Sequence, residues 1–200
     1  MTSVGAVVLA GGRSRRFGTD KATAVVGGSP LLRRVLDTAA PLVDEVLVVG
    51  PWAPPGFART LEPVRFEGPL AGLAWGLATI RTGHALALGC DHPFLAPGLL
   101  GHLLACRRDA DAVVARGPNG PEPLVGVYDT ALASVASELT DAGERRLAAL
   151  LEHCSVEWVD EDRWRDLDPE GLSFLDVDWP EDVDRIEARL RSGPEVPWQP

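Results

Sequence analysis

Four cationic side chains, Arg13, Arg15, Arg16 and Lys21, crowd into one glycine-bearing stretch that runs from Leu9 to Lys21 and contains Gly11, Gly12 and Gly18. Glycine lets the backbone adopt positive φ and lets a ligand come close to the chain. Successive backbone N–H groups in such a turn form an anion-binding concavity, and cations around it suit a polyphosphate. Lys21 is the only lysine; the other eighteen basic residues are arginine. An ammonium is a compact point charge that a planar guanidinium does not replace. The spacing is not that of a P-loop, because Thr19-Asp20 separates Gly18 from Lys21, and G-x-G-x-x-G is absent. By itself the stretch reads equally as a phosphate loop or as a plain turn.

Asp91 closes the apolar run Ala85-Leu86-Ala87-Leu88-Gly89-Cys90. A carboxylate at such a strand end is costly to desolvate unless it is paired or bound to a metal. Magnesium takes one or two carboxylates together with substrate phosphates. The other reading of Asp91 is a cap for the loop and helix that follow. His92 reads as a loop residue, since no second histidine lies at zinc spacing. Gly68-Pro69-Leu70-Ala71-Gly72 is either an ordinary helix start or a close approach of helix N–H groups to an anion or base. Glu62 and Glu67 precede it. A carboxylate there can accept N1–H and the exocyclic amine of guanine, or simply face water. Cys90, Cys106 and Cys154 form no Cys-x-x-Cys pair, so neither a zinc site nor a disulfide framework is indicated.

The elements that must position these residues alternate between two periodicities. Val4–Val8 is a short apolar strand. A β-branched segment over 23–26 and the turn at Gly27-Gly28 lead to Ser29-Pro30, read as an N-cap and first helical residue of a helix carrying Leu31, Leu32, Val35, Leu36 and Ala39. A second strand over 45–50 and a helix with Leu73, Leu77 and Ile80 on one face follow. The third strand ends at Cys90, and a helix spans about 97–108. Strands over 112–115 and 123–128 read as a hairpin, then helices over 129–139 and 143–153. Residues 156–159 form a further strand and 172–177 approach another, before a last helix capped by Trp179-Pro180-Glu181-Asp182. Alternation of this kind predicts an α/β fold with a mostly parallel sheet, a short antiparallel part and helices on both faces. Ligands of such sheets bind outside the carboxyl ends of the strands, where both the glycine loop and Asp91 fall.

The bulk numbers bound the partners. Two hundred residues, 46% hydrophobic and 24% charged, suit one domain. We expect that domain to span 1–192, with 193–200 a flexible proline-rich tail. No apolar run reaches membrane-spanning length and no leader is recognisable, so a cytoplasmic location is expected. The net charge of −10 argues against nucleic-acid binding. Residues 1–40 carry six basic and two acidic residues, so the positive field gathers around the glycine loop. The segment from Glu157 to Glu187 holds thirteen acidic and three basic residues and reads mostly as a solvated face.

Four segments occur in the order in which one family shows them: Leu9–Lys21, Gly68–Leu73, Cys90–Leu95 and Asp176–Asp182. Together they resemble the molybdenum cofactor guanylyltransferases over about residues 4–190. Glu122-Pro123-Leu124 and Gly143–Leu147 also resemble family segments. The resemblance implies a Rossmann-like nucleotidyltransferase fold and transfer of GMP from GTP to molybdopterin, with pyrophosphate released. It implies that Leu9, Ala10, Gly11, Gly12, Lys21, Glu62, Gly72 and Asp91 contact the nucleotide. Arg16 and Lys21 would neutralise phosphate charge, and Asp91 would hold Mg2+. Arg145 and Arg146 would grip the acceptor phosphate, or be helix-surface arginines. Asp176 and Asp178 would contact the acceptor or a second metal position, or cap the final helix. Proteins that deliver or receive the cofactor are possible partners, and a monomer is the expected state. Two departures stand out: Trp179 replaces the usual threonine, and Gly50-Pro51-Trp52 replaces a polar Asn-Arg pair. The alternatives are a molybdopterin cytidylyltransferase and a non-catalytic GTP-binding sensor.

Overall fold

The computed structural model describes residues 3–11, 21–61, 68–107 and 110–192. Gly12, Arg16, Glu62, Glu67 and the 193–200 tail lie outside the described residues. In chain order the elements are β1 (Val4–Leu9), β2 (Val25–Val26), β3 (Ser29–Pro30), α1 (Leu31–Ala39), β4 (Glu45–Val49), β5 (Ala58–Thr60), α2 (Pro69–Thr79), β6 (His84–Gly89), α3 (Pro97–Cys106), β7 (Ala112–Gly117), β8 (Gly120–Asp129), α4 (Leu132–Asp141), α5 (Leu147–Leu151), β9 (Val156–Val159), α6 (Glu161–Trp164) and α7 (Pro180–Ser192).

Seven strands form one sheet in the order β5-β4-β1-β6-β8-β7-β9, and only β8 runs antiparallel to its neighbours. The chain leaves β1 toward β4 on one side and returns to β6 on the other. The crevice between the ends of β1 and β6 is therefore a topological switch point. All six residues of β1 are buried. Its even positions, Val4, Ala6 and Val8, face a core built with α1 and α3, while Val7 and Leu9 face a core built with α2, α4 and α5. A strand covered on both faces needs a continuous apolar run, which explains the sequence of β1.

Two readings are corrected. Helix α1 begins at Leu31 with Pro30 as its N-cap, and it has no side-chain cap bond. Ser29 and Pro30 instead pair with Val26 and Val25, and Leu31 N–H bonds the Ala24 carbonyl. Residues 172–177 form no strand: Asp168 accepts the N–H groups of Leu172 (3.1 Å) and Ser173 (2.8 Å), winding a short 3-10 turn over Leu172–Phe174. Asp168 is thereby buried inside the acidic segment. The short strand β5 and helix α6 were not anticipated; α6 is anchored by the buried Trp164, whose Nε1–H bonds the Arg116 carbonyl at 2.8 Å and whose ring lies 4.7 Å from that of Phe174.

The segment before α7 is strung along the loop after β6. Ala96 N–H bonds Ser173 Oγ at 2.8 Å, and Val177 N–H bonds the Asp91 carbonyl at 3.0 Å. Leu175, Val177 and Ile186 bury themselves against Val26 and Leu31. Asp182 then accepts N–H groups from Asp178 (3.0 Å) and Trp179 (2.8 Å). This is the reach-back half of a capping box; Trp179 at the N-cap has no hydroxyl to supply the other half.

Candidate active site

The sheet brings Lys21 and Asp91 together although seventy positions separate them. Strand β1 extends one residue past Leu9: Ala10 N–H bonds the Val49 carbonyl (2.8 Å), and Cys90 N–H bonds the Leu9 carbonyl (3.0 Å). Leu9 and Ala10 are thus buried in the sheet end, and exposed Gly11 is the first residue beyond it. Lys21 opens a 3-10 turn over Lys21–Thr23. Lys21 Nζ lies 3.1 Å from Asp91 Oδ2 and 2.7 Å from Asp178 Oδ1. Its side chain is only 15% exposed. Burial opposes the ammonium charge, but Asp91 and Asp178 outweigh it and raise the lysine above its ordinary value.

Asp91 is held between Lys21 and His92. Its Oδ1 stands 3.2 Å from His92 Nδ1. Burial raises the carboxyl, yet His92 and then Lys21 overcome this and hold it far below the usual carboxylate range. The charged form is therefore the resting form. The backbone makes room for it: a Cβ on Gly89 would lie 2.3 Å from Asp91 Oδ1 and 3.1 Å from His92 Nδ1. A side chain at that position would require the carboxylate to move.

The sequence did not single out what surrounds His92. Its burial penalises an imidazolium, but Asp91, then Glu122 and Asp176, raise its pKa in net. Glu122 is itself pushed up, by burial first. So is Asp176, by burial and by Asp178. Glu122 reaches the site through an irregularity in β8. Pairing with β7 jumps from Val114–Gly126 to Ala115–Glu122, so residues 123–125 bulge. The buried Tyr128 hydroxyl donates to the Pro123 carbonyl at 2.8 Å and ties the bulge down. Bulges commonly re-aim side chains beside active sites. The only available sequence signal was the Glu-Pro-Leu tripeptide.

Gly68 precedes α2 at φ +102°, and its Cα faces the Arg145 backbone, where a Cβ would come within 3.0 Å of the carbonyl oxygen. Leu70 N–H bonds that carbonyl (3.4 Å), and Gly72 N–H bonds the Gly68 carbonyl (3.3 Å). Gly72 is buried within the helix. Arg145 Nη1 donates to the carbonyls of Thr140 and Glu144, both at 2.8 Å, closing the end of α4. Arg146 pairs with Glu144. Hydrogen bonds from Arg146 and Arg145 hold the Glu144 carboxyl down at about 2. Trp52 packs against the core, and Trp179 is 47% exposed beside Asp178.

The donor set fits a hard divalent cation of the magnesium type. Asp91 is ionised and Asp178 shares its ammonium partner. Among the described residues no cluster of three metal-ligating side chains occurs. Magnesium needs no such cage, because phosphates and waters complete its shell.

The chain is similar to known proteins. Residues 6–158 match the MobA-like NTP transferase domain. The molybdenum cofactor guanylyltransferase of Desulfosudis oleivorans is 30% identical over 199 residues, covering 96% of this chain and 98% of that one. The chain belongs to the molybdenum cofactor guanylyltransferase family. Among solved structures, molybdopterin-guanine dinucleotide biosynthesis protein A from Archaeoglobus fulgidus superposes with a TM-score of 0.81 at 24% identity, covering 94% of this chain and 100% of that chain. Rv0371C from Mycobacterium tuberculosis, solved as a complex with manganese, superposes with a TM-score of 0.64 at 20% identity, over 83% and 98% of the two chains. The nucleotidyltransferase fold is the one the resemblance implied, and its mostly parallel sheet is what the strand and helix alternation predicted. The domain match stops at Val156–Val159, so Asp178 comes from the segment beyond it.

Proposed function

We propose that the chain transfers GMP from GTP to molybdopterin, forming the guanine dinucleotide cofactor and releasing pyrophosphate. The observation that carries the reading is the placement of Lys21 between Asp91 and Asp178 at the switch point of the sheet. The terminal phosphate of molybdopterin attacks the α-phosphorus of GTP; a new P–O bond forms as the bond to the β-phosphate breaks. No protein nucleophile is required, because phosphoryl chemistry of this kind depends on positioning and charge stabilisation. Lys21 exchanges a carboxylate for phosphate oxygens and offsets the charge that gathers on the departing pyrophosphate. Gly11 and Gly12 bring backbone N–H groups to the nucleotide, and Arg16 adds a second cation. Asp91, with Asp178 nearby, would hold Mg2+, which supplies Lewis-acid neutralisation of the phosphates when bound. Glu62 reads the guanine edge, and Arg145, Arg146 and Asp176 stand toward the acceptor.

We treat residues 1–192 as one catalytic unit, since the site needs both Lys21 and Asp178, and we place the reaction in the cytoplasm. No described helix is long and apolar enough to cross a membrane. The experiment is incubation of the purified chain with molybdopterin, Mg2+ and either GTP or CTP, with products identified by mass. The guanine dinucleotide from GTP alone supports the reading. The cytosine dinucleotide from CTP alone contradicts the base assignment, and GTP binding without product contradicts catalysis.

A further inference from the structure

We infer that His92 is a positioning residue for Asp91: its Nδ1 fixes the rotation of the carboxylate so that Oδ2 is presented to Lys21 and to the metal that Asp91 would hold. The inference rests on the proposed role of Asp91 as the metal carboxylate. The Asp91 backbone is already tied, its carbonyl accepting Val177 N–H at 3.0 Å. What remains free is rotation about the side chain, and each oxygen has its own neighbour. Oδ2 faces Lys21 at 3.1 Å and Oδ1 faces His92 at 3.2 Å. The imidazole is 7% exposed, so it is not a mobile surface group. Its Nδ1 is buried and makes no well-directed hydrogen bond among the described residues, which leaves Asp91 Oδ1 as the acceptor beside it. Contacts of this kind often align fully only when substrate is bound. The missing Cβ at Gly89 is what lets the carboxylate and the ring share this space, since a methyl group there would collide with Oδ1 and crowd Nδ1. A leucine of similar bulk would fill the same space, but it would leave Oδ1 with no donor among the described residues.

The experiment is direct binding of Mn2+ to the full chain with GTP present, followed by the electron paramagnetic resonance of free Mn2+. Outer-shell partners of metal ligands are worth about 10- to 100-fold in affinity. His92→Asn places an amide nitrogen where Nδ1 stood and retains the wild-type affinity. His92→Gln places its amide near Nε2, and His92→Leu has none; both lose affinity by that factor. Wild-type affinity in the Leu and Gln variants, or equal loss in the Asn variant, overturns the inference. Should the Leu variant fail to fold by circular dichroism, the contrast between Asn and Gln decides. If the wild type binds no Mn2+, or Asp91→Asn binds it as tightly, the reading of Asp91 fails and His92 falls with it. If Asp91→Asn loses binding and all three His92 variants match the wild type, only the inference about His92 fails.

Discussion

Lys21 Nζ lies 2.7 Å from Asp178 Oδ1, across 157 positions of chain. Asp178 is 48% exposed, so this pair adds little to stability, on the order of 1 kcal/mol or less. Its consequence is for the site: it sets where the ammonium points. Asp178→Ala is expected to lower turnover about 10- to 100-fold, the size of effect a displaced catalytic group produces. The melting temperature should hardly move. Steady-state kinetics beside a melting curve checks this, and unchanged turnover counts against a functional role for the segment that carries Asp178.

Gly89 gives a second test. A Cβ there would stand 2.3 Å from Asp91 Oδ1. Gly89→Ala must displace the carboxylate or the strand, and overpacking of this kind costs about 1–3 kcal/mol. The expected outcome is a folded protein with a lowered melting temperature and turnover reduced well beyond the loss of folded fraction. Turnover that merely follows folded fraction would show that Asp91 tolerates displacement.

Tyr128 tests the bulge. Its buried hydroxyl donates to the Pro123 carbonyl at 2.8 Å. Tyr128→Phe leaves that carbonyl without its donor, at a cost of about 1–2 kcal/mol. For a chain of this size that is about 2–4 °C per kcal/mol in melting temperature. A melting temperature equal to the wild type would mean that the bulge holds itself.

Glu122 makes a prediction about pH. Burial chiefly, with Asp176 and Asp91 in support and His92 opposing, raises its pKa above the ordinary 4.5. The native state therefore holds this proton more tightly than the unfolded chain. The Glu122 contribution to stability is full below pH 4.5 and is lost as pH rises through the raised value. Glu122→Gln removes that loss. Its melting temperature should exceed that of the wild type at neutral pH, with the difference shrinking toward acid. A difference that does not change with pH would contradict the burial argument.

Residues at the ends of apolar strands were legible in the sequence, because a strand buried on both faces is a continuous apolar run and whatever follows it must stand at the sheet edge. Asp91 follows this rule at the end of β6; Lys21 was singled out instead as the sole lysine of the glycine loop, and the roles of both are what the resemblance implies. Ser29-Pro30 was misread because its local capping signal competes with pairing to Val25-Val26, a tertiary choice. The three residues of β5 carry no apolar pattern, and α6 lies inside an acidic run that reads as surface until Trp164 is seen buried. His92 was read as a loop residue and Glu122 only as part of a family segment for a related reason: they interact because β8 runs antiparallel and bulges beside the end of β6. No spacing along the chain encodes that. Arg16, Gly12 and Glu62, assigned by resemblance, lie outside the described residues and remain proposals.

The central claim is that Lys21 and Asp91 perform the transfer. Its most direct test is pyrophosphate release from GTP with molybdopterin and Mg2+ by Lys21→Ala and Asp91→Asn, each with circular dichroism to confirm folding. Loss of one preorganised charge-stabilising group costs about 100- to 1000-fold in turnover, and both folded variants should show at least that. Turnover near the wild-type rate in either folded variant would contradict the account.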